Sequence, residues 1–177
     1  MKVLVTGASG SGTTTLANSI AKRLKVAALD MDDFYWFADI PPFQRKRDPG
    51  DRLRAVLAAL AKHSDVIVSG SILGWGLALE DCFDLIVSLY LDASIRVERL
   101  RKREQQRLGK VDPAFLAWAA AYDESPSEGR SLAKHTHWLS ERSCPVLRLN
   151  GDLTIEARRN EVVAAMNAID TRSMTDW

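Results

Sequence analysis

Residues 1–15 read Met1-Lys2-Val3-Leu4-Val5-Thr6-Gly7-Ala8-Ser9-Gly10-Ser11-Gly12-Thr13-Thr14-Thr15. A short apolar-rich run enters a glycine-punctuated turn, and a helical pattern follows at Leu16, Ala17, Ile20 and Leu24. Strand, glycine-rich loop and helix, in that order, are the setting of a phosphate cradle. Glycine lets the backbone wrap closely around an anion, because it adopts positive φ without steric cost. Successive N–H groups then turn inward, and the helix N-terminus adds its positive end. The spacing Gly-x-x-x-x-Gly-Lys-[Ser/Thr] is met by Gly7, Gly12 and Thr14, with Thr13 where the lysine is expected. A plain strand-to-helix turn needs neither three glycines nor the hydroxyls of Ser9, Ser11, Thr13, Thr14 and Thr15. Without the ammonium, the β- and γ-phosphates lose a cation, and another residue has to neutralise that charge.

The chain of 177 residues is long enough to bury a proper core, and residues 1–177 are expected to form one domain. A net charge of +1 gives no argument for nucleic acid or a membrane surface as partner. Cys82 and Cys144 lie far apart without metal-ligand spacing, so free thiols in a reducing cytoplasm are expected. No apolar run approaches the roughly 20 residues that span a bilayer. The first apolar segment ends in the glycine loop too soon for a signal peptide. A monomer or a homodimer is expected.

Val26 to Asp30 reads as a short buried second strand ending in an acid. Met31 to Trp36 is expected to begin a loop, Pro41-Pro42 to forbid regular structure, and Arg45-Lys46-Arg47 to form a basic cluster. Asp48-Pro49 is a helix start, and Leu53, Val56, Leu57 and Leu60 form the apolar stripe of that helix. Asp65 to Ser71 is the third strand, breaking into a loop at Gly70, Gly74 and Gly76, and Phe83 to Leu91 the fourth. A basic helix from about Ser94 to Arg107, helices over Pro113–Tyr122 and Ser131–Glu141, and a polar loop over 123–129 follow. Pro145 to Leu149 is the fifth strand. Asn150-Gly151-Asp152 turns into a last helix with Ile155, Val162, Val163, Met166 and Ile169 inside, loosening from about Thr171. Buried strands alternating with helices predict an α/β parallel sheet with helices on both faces, and ligands beyond the carboxyl ends of the strands.

The segment Gly10-Ser11-Gly12-Thr13-Thr14-Thr15 resembles the phosphate loop of archaeal-type cytidylate kinases, which also lack the lysine. More broadly the chain resembles the adenylate kinase-like group of small P-loop kinases. That resemblance implies a three-layer P-loop NTPase fold, a five-stranded parallel sheet in the order 2-3-1-4-5, and a short lid. It also implies an acceptor-binding segment over about 31–62 and a lid over about 99–130. The spacing Asp30-x-Asp32 resembles shikimate and gluconate kinases, so Asp30 would stand with Thr14 on Mg²⁺ and Asp32 at the acceptor hydroxyl. Asp33 is expected to be structural, and Ser69-Gly70 stands where many nucleoside monophosphate kinases have Asp-Gly.

On the basic helix, Arg99 and Arg103 share a face, with Arg96 and Arg107 near it. The resemblance makes them lid arginines that grip phosphates and stack on adenine, and it offers Arg103 or Arg107 as the cation replacing the lysine. Adenine would lie between Arg99 and the turn at Gly151. Gly7, Ala8, Ser9, Gly10, Ser11, Gly12, Thr13, Thr14 and Thr15 would hold the phosphates of ATP. Asp32, Trp36, Arg45, Arg52, Gly70, Ser71 and Trp75 would line the acceptor pocket, with aromatic rings beside guanidinium groups. Of Tyr122, Asp123, Arg130 and His135, the histidine is expected to be structural. The expected function is phosphoryl transfer from ATP·Mg²⁺ to a nucleotide or small-molecule acceptor. The alternative is a non-catalytic or slowly hydrolysing nucleotide-binding protein.

Overall fold

The computed structural model describes residues 1–40, 43–124 and 129–175. Pro41-Pro42 and the middle of the 123–129 loop therefore lie outside the described residues. The chain runs β1 (Lys2–Gly7), α1 (Thr13–Leu24), β2 (Ala27–Asp30), α2 (Met31–Tyr35), α3 (Pro49–Leu60), β3 (Val66–Ser69), α4 (Leu77–Glu80), β4 (Leu85–Tyr90), α5 (Ala93–Leu108), α6 (Pro113–Ala120), α7 (Leu132–Ser140), β5 (Val146–Asn150) and α8 (Ile155–Thr175). A 3₁₀ turn at Ala121–Glu124 follows α6.

The five strands form one sheet in the order β2-β3-β1-β4-β5, and every pairing is parallel. Parallel strands need crossovers, and helices provide them on both faces. Side chains alternate across the sheet. Val3 and Val5 of β1 pack with Leu16 and Ile20 of α1 and Val162 of α8. Leu4 between them packs on the other face with Val56 and Leu60 of α3 and Trp138 of α7. Cys82 and Cys144 are free, half-buried thiols at the edge of that second face, and burial raises the pKa of both. Leu100, Leu116 and Ala119 make a smaller core between α5 and α6.

Several sequence expectations are corrected. Met31 to Tyr35 is a short helix, because the Asp30 carboxylate accepts from the Asp32 N–H and caps it. The second strand is half-exposed, not buried, since it is the sheet edge, and β5 at the other edge is likewise only partly covered. A one-turn helix, α4, follows the glycine connector. The last helix runs to Thr175, in a stretch without Gly or Pro.

His135 of α7 joins the helix layer to the central strand. Its Nε2 lies 3.2 Å from the Thr6 hydroxyl and its Nδ1 2.8 Å from the Tyr122 hydroxyl. Burial, with Arg130 and Arg148 nearby, pulls its pKa down to about 4, and burial pushes Tyr122 up to about 12. The imidazole is therefore neutral in the folded chain, while in the unfolded chain it takes up a proton near 6.5. Its contribution is whole above pH 6.5 and is lost as the pH falls toward 4, on the order of 3 kcal/mol in all. Urea unfolding of the native chain should weaken over that window, and His135→Gln should flatten the dependence. An unchanged slope in the variant would place its origin elsewhere.

Candidate functional site

Because the strands are parallel, Gly7, Asp30 and Ser69 end on the same side of the sheet, with Asp30 in register with Ser69 and Ser69 with Val5. The phosphate loop leaves β1 there. Gly10 and Gly12 have φ of 86° and 94°, so both need the left-handed region. Gly12 is the N-cap of α1 and no side chain caps it, leaving the first N–H groups of the helix without intrahelical partners. The Ser11 N–H donates to the Ala8 carbonyl and tightens the turn, while the Ser11 hydroxyl is buried without a partner among the described residues. A Cβ on Gly10 would stand 2.7 Å from the Arg96 carbonyl of α5. The loop is a hollow of backbone donors pressed against α5.

Thr14, on the first turn of α1, donates its hydroxyl to Asp30 Oδ2 at 2.9 Å. Hydroxyl and carboxylate oxygens thus meet at the mouth of the loop. Asp32 lies one step further along, on α2. Burial, then the charges of Asp30 and Asp33, raise its pKa, and Arg130 and Arg103 oppose the rise. Burial and the neighbouring acids outweigh the arginines, so Asp32 titrates above its ordinary value.

The arginines of α5 have separate partners. Arg99 pairs with Asp152 on the turn after β5, beside Gly151. Arg103 pairs with Glu104 at 3.1 Å and also acts on Asp32. Arg107 stands 6.0 Å over the Phe43 ring, bridging α5 to the 31–62 segment. Arg101 and Lys102 pair with Glu98 on the solvated face. Arg96 does not sit near the Arg99–Arg103 face but is fully buried. It donates to the Leu91 carbonyl (2.8 Å), the Ala119 carbonyl (3.0 Å) and, at 3.4 Å, the Ser9 carbonyl. Its charge is met by Asp123 at 2.9 Å. The register explains this: Arg96 stands four residues before the buried Leu100.

On the other wall, Arg52 of α3 lies over the neighbouring rings of Tyr35 and Trp75, 4.7 and 4.6 Å from their centroids, which are 6.0 Å apart, and its Nε is buried without a partner among the described residues. Trp75 itself is 8% exposed, so it supports Arg52 and offers little surface of its own. Gly70 sits so close to Met31 that a Cβ would meet it at 2.9 Å, and half-buried Ser71 follows it. Trp36 and Lys46 form an antiparallel bridge, with Trp36 edge-on to Tyr35 and Phe43. Arg45 is held on this flap by Asp39 at 2.7 Å and lies over Phe37.

The sequence reading misses Arg158. This residue of α8 is 1% exposed and donates to the Ser11 carbonyl of the loop (3.0 Å) and to the Gly151 carbonyl (2.6 Å). An Arg158-Arg159 pair reads as an ordinary solvated patch. The available signal is its place four residues before Val162, on the inner-face stripe of α8.

A phosphate loop at the carboxyl end of the central strand of a parallel sheet defines a P-loop nucleotide-binding protein. Residues 3–112 match the family described as AAA domain. The uncharacterized protein YqaC of Bacillus subtilis (strain 168) is 38% identical over 169 residues, 90% of this chain and 93% of that one. The cytidylate kinase of Pyrococcus abyssi (strain GE5 / Orsay) is 32% identical over 132 residues, covering 64% of this chain and 65% of its own length. Among solved structures, the shikimate kinase from Acinetobacter baumannii in complex with shikimate shares the fold, with a TM-score of 0.59 at 14% identity over 94% of this chain and 93% of that one. The chain belongs to the AAA domain family.

The approach of Gly10 to α5 can be measured against a control. Gly10 and Gly109 both have positive φ, but a Cβ on Gly109 meets nothing within 4 Å. Gly10→Ala should cost about 1–3 kcal/mol more than Gly109→Ala in urea unfolding, the usual size of overpacking. Equal costs would show that α5 does not confine the loop.

Proposed function

We propose that this chain transfers the γ-phosphoryl group of ATP to the oxygen of a small acceptor held between the 31–62 segment and the Gly70–Gly76 connector. One observation carries the reading: Asp32, an acid with a raised pKa, stands beside the phosphate-loop mouth under the charges of two arginines from the 99–130 segment. A passive binding module has no need of such an acid there.

In this reading the loop from Gly7 to Thr15 directs its N–H groups at the β- and γ-phosphates. Arg99 and Gly151 border the adenine. Asp32 accepts the proton of the acceptor hydroxyl as that oxygen bonds to the γ-phosphorus, and the bond to the β,γ-bridging oxygen breaks to leave ADP. Arg103 sits where its guanidinium can meet the charge of the transferring group, with Arg107 holding the segment over the acceptor through Phe43. Arg52, held over two adjoining rings, is pre-organised for a planar or anionic acceptor, with Trp36, Arg45, Gly70, Ser71 and Trp75 around it. The Thr14 hydroxyl and Asp30 carboxylate are hard oxygen donors that fit Mg²⁺, and they would hold it with phosphate oxygens and water completing its shell. When bound, Mg²⁺ spreads the negative charge of the phosphates.

The test is ADP production from ATP·Mg²⁺ across a panel of nucleoside monophosphates and small hydroxylated metabolites. Acceptor-dependent turnover is expected. ADP release indifferent to every acceptor would make the chain a hydrolase, and no release at all a binding module. Only ionised Asp32 takes a proton, so kcat/KM should rise with pH through a pKa above the ordinary 3.8. Asp32→Asn should lower kcat by about 10²-fold or more and remove that limb.

A further inference from the structure

The loop lacks a lysine at Thr13, yet a cation is already fixed against it. Arg158 reaches it from α8, close enough to Arg99 of α5 to feel its charge. It is 1% exposed, its terminal nitrogens hold the Ser11 and Gly151 carbonyls, and an ideal Cβ on Gly12 would lie 3.6 Å from one of them. Its Nε is buried with no partner among the described residues, and the neighbouring Ser11 hydroxyl is the same. The contrast with Arg96 is informative. Arg96 also touches the loop, at the Ser9 carbonyl, but its charge is met by Asp123. Among the described residues Arg158 makes no ion pair of its own, and the acid on the adjoining turn, Asp152, is paired with Arg99 and reaches Arg158 only as a nearby charge. A buried cation with no carboxylate paired to it directly is costly in an empty site and favourable beside a bound anion.

We propose that Arg158 is the positioning residue that supplies the phosphate loop with the positive charge missing at Thr13, acting through the Ser11–Gly12 peptide. A trans peptide is planar, with its C=O and N–H pointing in opposite directions. A guanidinium donating to the Ser11 carbonyl therefore polarises the Gly12 N–H, which points away from α8, and strengthens it as a donor to phosphate. The second bond, to Gly151, ties the same cation to the turn beside Arg99, so the two ends of a nucleotide site are set by one side chain. The inference rests on nucleotide binding at this loop and not on phosphoryl transfer.

The probe is inorganic tripolyphosphate, titrated calorimetrically into the full chain. Arg158→Met should weaken its binding ten-fold or more, and adding Thr13→Lys to that variant should recover most of the loss, because the ammonium restores the charge by another route. A strut whose only task is to hold the backbone would not be rescued in this way. Arg158→Lys keeps the charge and should bind within about three-fold of the native chain. Native-like binding by Arg158→Met overturns the proposal, as does a folded Arg158→Met variant that Thr13→Lys fails to rescue. A ten-fold loss in Arg158→Lys at unchanged melting temperature also overturns it, and this arm stands even if the methionine variant does not fold. A native chain that binds neither tripolyphosphate nor ATP would remove the proposed function itself, whereas native binding indifferent to Arg158 would remove only this inference.

Discussion

The close seating of the phosphate loop between two helices is the constraint on which the rest of the molecule depends. Gly10 lies against the α5 backbone, and the carbonyls of Ser9 and Ser11 are taken by buried guanidinium groups from α5 and α8. Each contact pulls a carbonyl outward. The N–H of the following residue then turns the other way, and a hollow lined with donors remains where β1 meets α1. The loop shape is thus imposed from outside as well as permitted by its glycines.

The same contacts connect regions that a nucleotide would touch separately. Arg96 ties the loop to Ala119 and Asp123 at the end of α6, and Arg158 ties it to the turn after β5. Thr14 and Asp30 close the third side, where the Asp30 carboxylate both caps α2 and receives the Thr14 hydroxyl. Because Asp30 fixes the start of α2, it also fixes the position of Asp32. Phosphoryl transfer is the chemistry proposed for this site. These contacts are the means by which this chain would carry it out.

Much of the fold is legible in the sequence. The alternation of short apolar runs with 3.6-period stripes is set by local burial, and Val3, Leu4 and Val5 take opposite faces as their order requires. Strand order came from the family resemblance, since periodicity carries no information about neighbours, and the observed order agrees. Edge exposure of β2 is invisible locally because it depends on what fails to pack beside it. The α2 helix is hard to read from sequence because its start depends on one side-chain cap and its length is under two turns. In the candidate site, spacing alone singles out the loop, Thr14, Asp30 and Asp32, and the structure brings Thr14, Asp30 and the Asp32 N–H together. Arg96 and Arg158 were misjudged or missed because arginines on a helix usually face water, and only their register with Leu100 and Val162 marks them as inward.

Backbone amide resonances offer the most direct view of the central claim. In ¹⁵N-labelled full-length protein titrated with tripolyphosphate, the Gly10 and Gly12 N–H signals should move downfield together with the Arg158 Nε–H signal, while residues on the amino-end side of the sheet stay fixed. Saturable shifts confined to other surfaces, with the loop glycines unmoved, would contradict the account.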